Sequence, residues 1–414
     1  MSERVVISGL SCISCFGVGH PAFDAAIRSG SCGIAAITTF DTQTCRSHCA
    51  GMIHGFDATA FMSPLKLRRI DAVGRLAVAC AHLLFDDAGC RPDAGGADHI
   101  GVALGTMTAG LDSLVEYLDG LTSRGPTGVP AILFSNTVSN APASLCAIEF
   151  GLRGPNVTFN QREASSFGAL MFSVGAIRQA RVSAMVTGGA DCIEETFFKV
   201  HDRFRALSPM PRTSSWRGPA IEAARPFDRD RNGFILGEGG FLLMLESASA
   251  AEARRAHVYG EILGIGASSS KASLNRWPDS PDGLVKAMRL ALRDAQLGPE
   301  DISAIMATAN GSPVLDRHEA EAIAEAFGDG AIPVASIKGA IGESGASAAA
   351  ALMAGLSSIA SGEIGPTVGF CQPDEGFRIR VSRGAQATTR HTFLVNSVAS
   401  GGTNYSVVVR ARPS

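Results

Sequence analysis

Four turns of this sequence combine polar side chains with small residues at positions where chemistry could be placed. In GPNVTFNQREASSFGAL (154–170), a strand-like run leads through a turn into a helical pattern, and Glu163 stands where several enzyme folds display a nucleophile. The other turns surround Asn310, surround Glu343 and form NSVASGGTN (396–404), whose backbone N–H groups could bind an oxyanion. Each turn alone is also compatible with tight packing, because Gly-rich strand–helix turns are common.

Other nucleophiles and bases are poorly supported by the sequence. Ser165 and Ser166 follow Glu163, but there is no G-x-S-x-G motif, and no histidine is placed to activate either hydroxyl. His201 and His318 are interpreted as structural histidines on a helix side or at the surface. We therefore expect no serine-based catalysis.

Ten cysteines are scattered along the chain. The pairs in CISC (12–15) and CRSHC (45–49) have a spacing that can bind zinc, but neither pair is embedded in a ribbon-type knuckle. Reduced thiols that fill small core positions are the preferred interpretation. We therefore expect neither a metal nor a cofactor.

The turns are set in a framework in which strand and helix patterns alternate. SAMVTGGAD (183–191) and GGFLLMLES (239–247) are near-continuous apolar strands, as expected for a sheet covered on both faces. DAVGRLAVACAHLLFDDAG (71–89) is predicted to form a long amphipathic helix. In such an α/β framework, reactive groups gather where strands end and helices begin.

The order of these elements is repeated within the chain. HVYGEILGIGASS (257–269) mirrors RVVISGLSCIS (4–14), and PDGLVKAMRLALRDAQL (281–297) mirrors the long helix. Such self-similarity indicates an internal duplication. We therefore predict two α/β halves, residues 1–250 and 251–414, that form one compact body.

Composition and charge argue against several classes of function. Of the 414 residues, 46% are hydrophobic and 18% charged, with a net charge of −3 and no basic stripe that would indicate nucleic-acid binding. No apolar stretch reaches the length of a membrane span, and MSERVVISGL lacks the pattern of a signal peptide. We therefore expect a cytoplasmic protein with neither a nucleic-acid nor a membrane partner.

Together, the segments resemble the β-ketoacyl-acyl-carrier-protein synthases, the condensing enzymes of the thiolase fold. The stretches that carry the resemblance span nearly the whole chain and are GLRGPN (151–156), VTGGAD (186–191), ARPFDRDRNGFILGEGG (224–240), SIKGAIGESGASAA (336–349) and NSVASGGTN (396–404). The resemblance implies a thiolase fold, in which duplicated α/β halves build a layered α-β-α-β-α sandwich.

The resemblance also implies where the catalytic residues of the family would stand. The nucleophilic Cys of the family lies eight residues after the Pro of G-P-x and 25 before a later Gly-Gly pair, and counts from Pro155 and from Gly188 both end at Glu163. The other family positions are the first histidine (here Asn310), the second histidine (here Glu343), the lysine (retained as Lys338) and the gating phenylalanine (here Ser400). The Cys-His-His triad is therefore absent, and no catalytic residue is expected.

These replacements remove the chemistry of condensation. A thiolate is needed to accept an acyl chain from a carrier thioester, and Glu163 could accept one only through a labile anhydride. An ionised Glu343 would repel the malonyl carboxylate and the developing enolate, whereas Asn310 could still donate one hydrogen bond. Glu163 is instead expected to be stabilised at a helix N-terminus and to pair with Arg162 or Lys338.

One branch of the family resembles the chain further: the chain-length factors, or ketosynthase β subunits, of type II polyketide synthases. NGSPVLDRHEAEAIAEAFG (310–328) and REASSFGAL (162–170) are similar to runs of that branch, which commonly carries Gln at the position of Glu163. The resemblance implies a non-condensing subunit that pairs with a catalytic ketosynthase. Such a subunit shapes the channel for a polyketide or polyene chain carried on an acyl carrier protein.

The same resemblance implies which segments contact the partner and the product. The strand NVTFN (156–160) is expected to pair with its counterpart across the dimer two-fold, because an exposed strand edge is a liability unless paired. The channel lining is expected within residues 111–145, with room at the small residues Ser135, Ser139, Ala141 and Ala143 and closure by Leu133, Phe134 or Tyr117.

Two other interpretations stay open. The first is an active acyltransferase or decarboxylase that uses Glu163, Asn310 and Glu343 in new roles. The second is a homodimeric acyl-binding protein without catalysis. Co-purification with an obligate partner would support the chain-length factor, and a soluble homodimer would support the acyl-binding protein. Turnover of an acyl- or malonyl-carrier protein by the isolated chain would support the active enzyme.

Overall fold

The computed structural model describes residues 3–93, 95–210, 221–388 and 390–413. The strands in these ranges are β1 (Val5–Ser14), β2 (Gly17–Val18), β3 (Ala35–Ala36), β4 (Cys49–Ala50), β5 (Ile100–Gly105), β6 (Asn156–Phe159), β7 (Ala184–Asp191), β8 (Gly239–Ser247), β9 (Gly260–Ser269), β10 (Ala304–Met306), β11 (Pro333–Ala335), β12 (Glu363–Ile364), β13 (Arg380–Val381), β14 (Gln386–Ala387), β15 (Thr392–Val398) and β16 (Thr403–Ala411). The helices are α1 (His20–Ser29), α2 (Pro64–Leu67), α3 (Ala72–Ala88), α4 (Leu111–Arg124), α5 (Ala131–Phe134), α6 (Ala141–Phe150), α7 (Ser165–Arg178), α8 (Glu195–Arg203), α9 (Ala248–Ala253), α10 (Asp282–Ala295), α11 (Pro313–Phe327), α12 (Lys338–Ile341) and α13 (Ser347–Ala360).

The two halves of the chain build the same five-stranded sheet. The first half has the strand order β6-β5-β7-β8-β1 and the second half has β11-β10-β15-β16-β9. In each half, the first three strands of that order are parallel to one another. The fourth strand is antiparallel to the third, and the fifth is antiparallel to the fourth. The predicted duplication is thus seen in the sheet topology.

The sheets of the two halves are continuous with each other. Strand β1 pairs antiparallel with β9, so that Val5 faces Ile262 and Ile7 faces Gly260. Strand β13 extends the sheet beyond β11, and β6 lies at the opposite edge. The two halves are therefore joined by backbone hydrogen bonds between strands. The sequence pattern did not indicate this connection.

Helices cover this sheet in three layers. Helices α3 and α6 pack on the outer face of the first half, and α10 and α11 pack on the second half. Helices α7 and α13 lie between the halves, contact each other and are buried over nearly their whole length, which explains their continuous runs of small and apolar residues. The layered α-β-α-β-α sandwich predicted from the sequence is confirmed.

Glycines allow the two turns that precede α7 and α13 to pack against the central strands. A Cβ atom on Gly105, at the end of β5, would lie 2.2 Å from the carbonyl carbon of Ser165. A Cβ atom on Gly189, at the end of β7, would lie 3.1 Å from the Cα atom of Ala346. The starts of both central helices are therefore held at the carboxyl ends of the parallel strands.

In the described ranges, no helix is both long and apolar enough to cross a lipid bilayer.

Candidate functional site

The four turns singled out in the sequence meet where the parallel strands of both halves end. Glu163 lies in a 3₁₀ turn between β6 and α7, and Asn310 follows β10. Glu343 lies between α12 and α13, and Ser400 connects β15 to β16. All four side chains are buried, with between 1% and 6% of each residue exposed. The site is therefore built from both halves and is largely closed to solvent.

Glu343 is the centre of a buried polar cluster within the second half. Its Oε2 atom accepts hydrogen bonds from Lys338 Nζ and from Asn310 Nδ2, both at 2.7 Å, and its Oε1 atom lies 2.7 Å from Ser347 Oγ. Lys338 Nζ also donates to Thr308 Oγ1 at 3.0 Å. Burial raises the pKa of the Glu343 carboxyl, and the Lys338 ammonium opposes this rise.

This cluster corrects two expectations about charge at the site. Glu343 does not present an uncompensated charge, because Lys338 forms an ion pair with it at 2.7 Å. Lys338 is therefore not the partner of Glu163. Asn310 donates one N–H to Glu343, so the residues at the positions of the two family histidines are bound to each other. Neither position offers the pair of imidazole donors that an enolate oxygen requires.

Glu163 faces the turn between β15 and β16 instead. The backbone N–H of Ser400 donates to Glu163 Oε2 at 3.0 Å, and Ser400 Oγ lies 3.0 Å from both carboxylate oxygens. Arg162 Nε lies 3.7 Å from Glu163 Oε2, so of the two cations considered from the sequence, Arg162 is the one beside Glu163. The carboxylate stands just before the first turn of α7, as the sequence predicted.

Two buried carboxylates that the sequence analysis did not single out hold the Asn310 turn. Asp316 accepts backbone hydrogen bonds from Asn310 and Phe227, and Glu319 accepts them from Thr308 and Ala309. Burial raises the pKa of Asp316 to about 6 and that of Glu319 to about 7. Their spacing of three residues on α11, directly after the turn, was the available signal, since such residues share a helix face.

The serines and histidines considered earlier lie outside the reactive part of the site. Ser165 Oγ donates to the backbone carbonyls of Arg162 and Thr106, so its hydroxyl stabilises the turn. His201 is buried on α8, where burial lowers its pKa. His318 is also buried, and its ring nitrogens have no hydrogen-bond partner among the described residues. Burial lowers the pKa of His318 to about 4, so it is neutral at physiological pH.

The cysteines are all present as free thiols. Cys12 is buried within β1, and Cys15 and Cys49 are half-buried, with burial raising the pKa of each thiol. Within the described ranges, no group of three or more His, Cys, Asp and Glu side chains is arranged to hold a metal ion.

The residues expected to line a channel lie at the surface of the single chain. Phe134, on α5, is 64% exposed and its ring centroid lies 6.2 Å from that of Tyr117 on α4. Residues 111–150, which span α4 to α6, carry several large exposed apolar side chains, and these are hereafter called the α4–α6 face: Leu118, Ile132, Phe134, Val138 and Ile148. Leu133, Ser135 and Ser139 are partly or fully exposed on the same segment.

Two small residues of that prediction are buried within the single chain. Ala143 lies on the buried side of α6 and is fully buried in the core, and Ala141 is 8% exposed. A larger side chain at Ala143 would overpack the core of this chain rather than narrow a channel at its surface. Ser135 and Ser139 stay suitable positions.

Comparison with known proteins agrees with this architecture. The family description "Beta-ketoacyl synthase, N-terminal domain" matches residues 2–251, and "Beta-ketoacyl synthase, C-terminal domain" matches residues 259–371. The chain is 33% identical to the tetracenomycin polyketide synthase ketoacyl synthase alpha subunit of Streptomyces glaucescens, with 99% of this chain and 97% of that protein covered. It is 31% identical to the beta subunit of the same synthase, with 98% of each chain covered.

A solved structure gives the same result in three dimensions. The ishigamide ketosynthase/chain length factor superposes with a TM-score of 0.90 at 29% identity, over 99% of this chain and 100% of that one. The fold, the duplicated topology and both family matches agree. The chain therefore belongs to the β-ketoacyl synthase family.

Proposed function

We propose that this chain is a non-condensing, ketosynthase-like subunit, a chain-length factor. It pairs with a catalytic ketosynthase in the cytoplasm and shapes the channel for a polyketide or polyene chain carried on an acyl carrier protein. The observation that carries the proposal is the occupation of the reactive positions by a buried Glu163 bound to Ser400 and by Asn310 and Glu343 bound to each other.

The chemistry of these residues argues against condensation by this chain. Acyl transfer from a carrier thioester needs a nucleophile that is free to attack, and the Glu163 oxygens are held by the N–H and hydroxyl of Ser400. Decarboxylation of an extender needs donors aimed at the developing enolate. Lys338 and Asn310 both donate to Glu343, so these donors are directed at a carboxylate of the chain itself rather than at an extender.

The surface of the chain supports a partner subunit. Among the described residues, β6 pairs with β5 on one side and forms the edge of the large sheet. Its residues Asn156–Phe159 are exposed or half-buried, and α6, which contacts β6, belongs to the exposed α4–α6 face. An unpaired edge next to exposed apolar side chains is typical of a surface that another subunit covers.

The relatives support the kind of partner. One similar protein is named as a beta subunit and another as an alpha subunit of one polyketide synthase, and the similar solved structure is titled a ketosynthase/chain length factor. We therefore propose a ketosynthase rather than a second copy of this chain as the partner. A stable homodimer with bound acyl chains would favour the acyl-binding alternative.

Co-expression tests the proposal. The chain is produced alone and together with a catalytic ketosynthase of a type II polyketide synthase, and each preparation is incubated with malonyl- and acyl-carrier protein. We expect an obligate heterodimer that forms polyketide product and an isolated chain that forms none. Release of carbon dioxide or transfer of an acyl group by the isolated chain would instead support the remodelled acyltransferase or decarboxylase.

A further inference from the structure

The Glu163 carboxylate is bound by a set of donors that could also bind a small anionic ligand. These donors are the backbone N–H of Ser400, its hydroxyl and, at 3.7 Å, the guanidinium of Arg162. Glu163 and Ser400 are 3% and 6% exposed, so the Ser400 donors lie inside the protein, whereas the side chain of Arg162 is 32% exposed and lies between them and solvent. Hydrogen bonds from fixed donors to a carboxylate are strong when water is excluded.

Arg162 also forms hydrogen bonds with two other segments. Its Nε donates to Ser400 Oγ at 2.6 Å, and its Nη1 donates to Asn275 Oδ1 at 2.6 Å. Asn275 lies on the loop between β9 and α10, so one side chain connects the Glu163 turn, the Ser400 turn and that loop. Both Arg162 and Asn275 have left-handed backbone conformations, with φ of 54° and 64°. Such backbone is uncommon outside glycine, and here it directs both side chains to the same point.

We propose that the Ser400 and Arg162 donors form a binding site for a small monocarboxylate that the side chain of Glu163 occupies permanently, and that Arg162 acts as a strap that keeps it closed. The inference does not depend on the role of the chain as a length determinant. It assigns Glu163 the position of an intramolecular ligand and Arg162 that of a positioning residue. A closed site of this kind would keep other carboxylates and acyl groups away from the Ser400 donors.

Substitution of Glu163 by alanine tests the site with a matched ligand. The change removes CH₂ and COO⁻, which are the heavy atoms of acetate, and leaves the donors of Ser400 and Arg162 in place. Acetate is therefore the probe, and Glu163→Gln is the control because the amide fills the same volume. The full-length proteins, with their partner where one is needed, are melted in increasing sodium acetate and in sodium chloride of equal ionic strength at neutral pH.

We expect acetate to raise the melting temperature of Glu163→Ala in a saturable way, since a ligand that binds only the folded state stabilises it. The native chain and Glu163→Gln should respond to acetate as they respond to chloride. Equal responses of a folded Glu163→Ala to the two salts would overturn the carboxylate site. A larger acid such as hexanoate should give no saturable shift while Arg162 is present.

A thiol probe tests the strap and does not depend on the stability of the alanine variant. The Glu163→Cys protein is treated with iodoacetamide, and alkylation at position 163 is quantified by peptide mass spectrometry because the chain has ten other cysteines. We expect the introduced thiol to react at least about tenfold more slowly than the same thiol in a Glu163→Cys/Arg162→Ala protein. Equal rates would show that Arg162 does not close the pocket.

These outcomes are separate from those of the proposed function. Acetate binding and thiol protection are properties of the folded chain and need no condensation. A chain that has the site but never forms product with a ketosynthase would refute the proposed function alone. A productive heterodimer whose Glu163→Ala chain ignores acetate would refute this inference alone.

Discussion

Glu163 and Glu343 occupy corresponding turns of the two halves, and the contrast between them explains much of the site. Each glutamate lies between a parallel strand and a central helix: Glu163 lies between β6 and α7, and Glu343 lies between β11 and α13. Glu343 is held within its own half by an ion pair with Lys338 and a hydrogen bond from Asn310. Glu163 is held by Ser400 of the other half.

This difference shows that the role of a buried glutamate depends on which groups donate hydrogen bonds to its carboxylate. A carboxylate paired with a buried ammonium belongs to the internal structure, because removal of either partner leaves a charge without compensation. A carboxylate held by a backbone N–H and a hydroxyl can be replaced by a neutral acceptor at small cost. We therefore expect the carboxylate of Glu343 to be required for stability, whereas that of Glu163 can be replaced by a neutral acceptor.

The largest effect is expected from Lys338→Met. This change leaves the Glu343 carboxylate buried without its ammonium, and we expect the free energy of unfolding to fall by about 3–5 kcal/mol in a denaturant titration. The matched control is Lys338→Met combined with Glu343→Gln, which removes both charges and should recover most of the loss. A loss below about 1 kcal/mol in the single variant would mean that the pair is not the structural centre of the second half.

The pH dependence of stability tests a second charged cluster, which joins the two halves away from the Lys338–Glu343 pair. His20 lies 3.4 Å from Asp24 and 3.3 Å from Asp87, and Tyr259 of the second half donates to Asp87 at 2.9 Å. The hydrogen bonds to Asp24 and then Asp87 raise the pKa of His20 from 6.5 to about 9. The resulting stabilisation is complete below the unfolded pKa and is lost as pH rises through about 9.

We therefore expect His20 to contribute at most about 3 kcal/mol near neutral pH and almost nothing near pH ~10. The measurement is the difference in free energy of unfolding between the native chain and His20→Gln at the two pH values. Subtraction of the variant removes the titration of other groups. A difference that does not shrink at high pH would contradict a protonated His20 in the folded chain.

A smaller effect is expected from Glu163→Gln. The amide oxygen of glutamine can still accept the Ser400 N–H bond, so the free energy of unfolding should change by about 1 kcal/mol or less. The same denaturant titration used for Lys338→Met gives a direct comparison of the two turns. A loss as large as that of Lys338→Met would remove the distinction between a structural and a replaceable glutamate.

The smallest effect on stability is expected from Ser139→Phe on the α4–α6 face. Ser139 is only partly buried, so a larger side chain can be accommodated in the isolated chain. In the heterodimer it should narrow the channel and shorten the product while the first condensation proceeds at a similar rate. Ser249→Phe, at an exposed position on α9, is the control. Unchanged product length in Ser139→Phe would indicate that this surface does not limit the chain.

Much of the fold was predictable because it depends on repeated local patterns. Apolar runs and helical periodicity predicted the main strands and helices, and the strand–turn–helix pattern of residues 154–170 predicted the turn that holds Glu163. The partner of Glu163 was not predictable, since the two cations Arg162 and Lys338 were both candidates and the outcome depends on the path of α12, which directs Lys338 to Glu343. The contact from Arg162 to Asn275 joins residues 113 positions apart and depends on two unusual backbone conformations.

The most direct test of the central claim is the intact mass of both subunits in the reconstituted pair during turnover. The ketosynthase is incubated with this chain, acyl-carrier protein and malonyl-carrier protein, and the reaction is quenched while acyl intermediates are present. We expect the acyl adduct on the catalytic cysteine of the partner and an unmodified mass for this chain. An acyl group attached to this chain at Glu163, or on a neighbouring serine, would contradict the account and assign it a catalytic role.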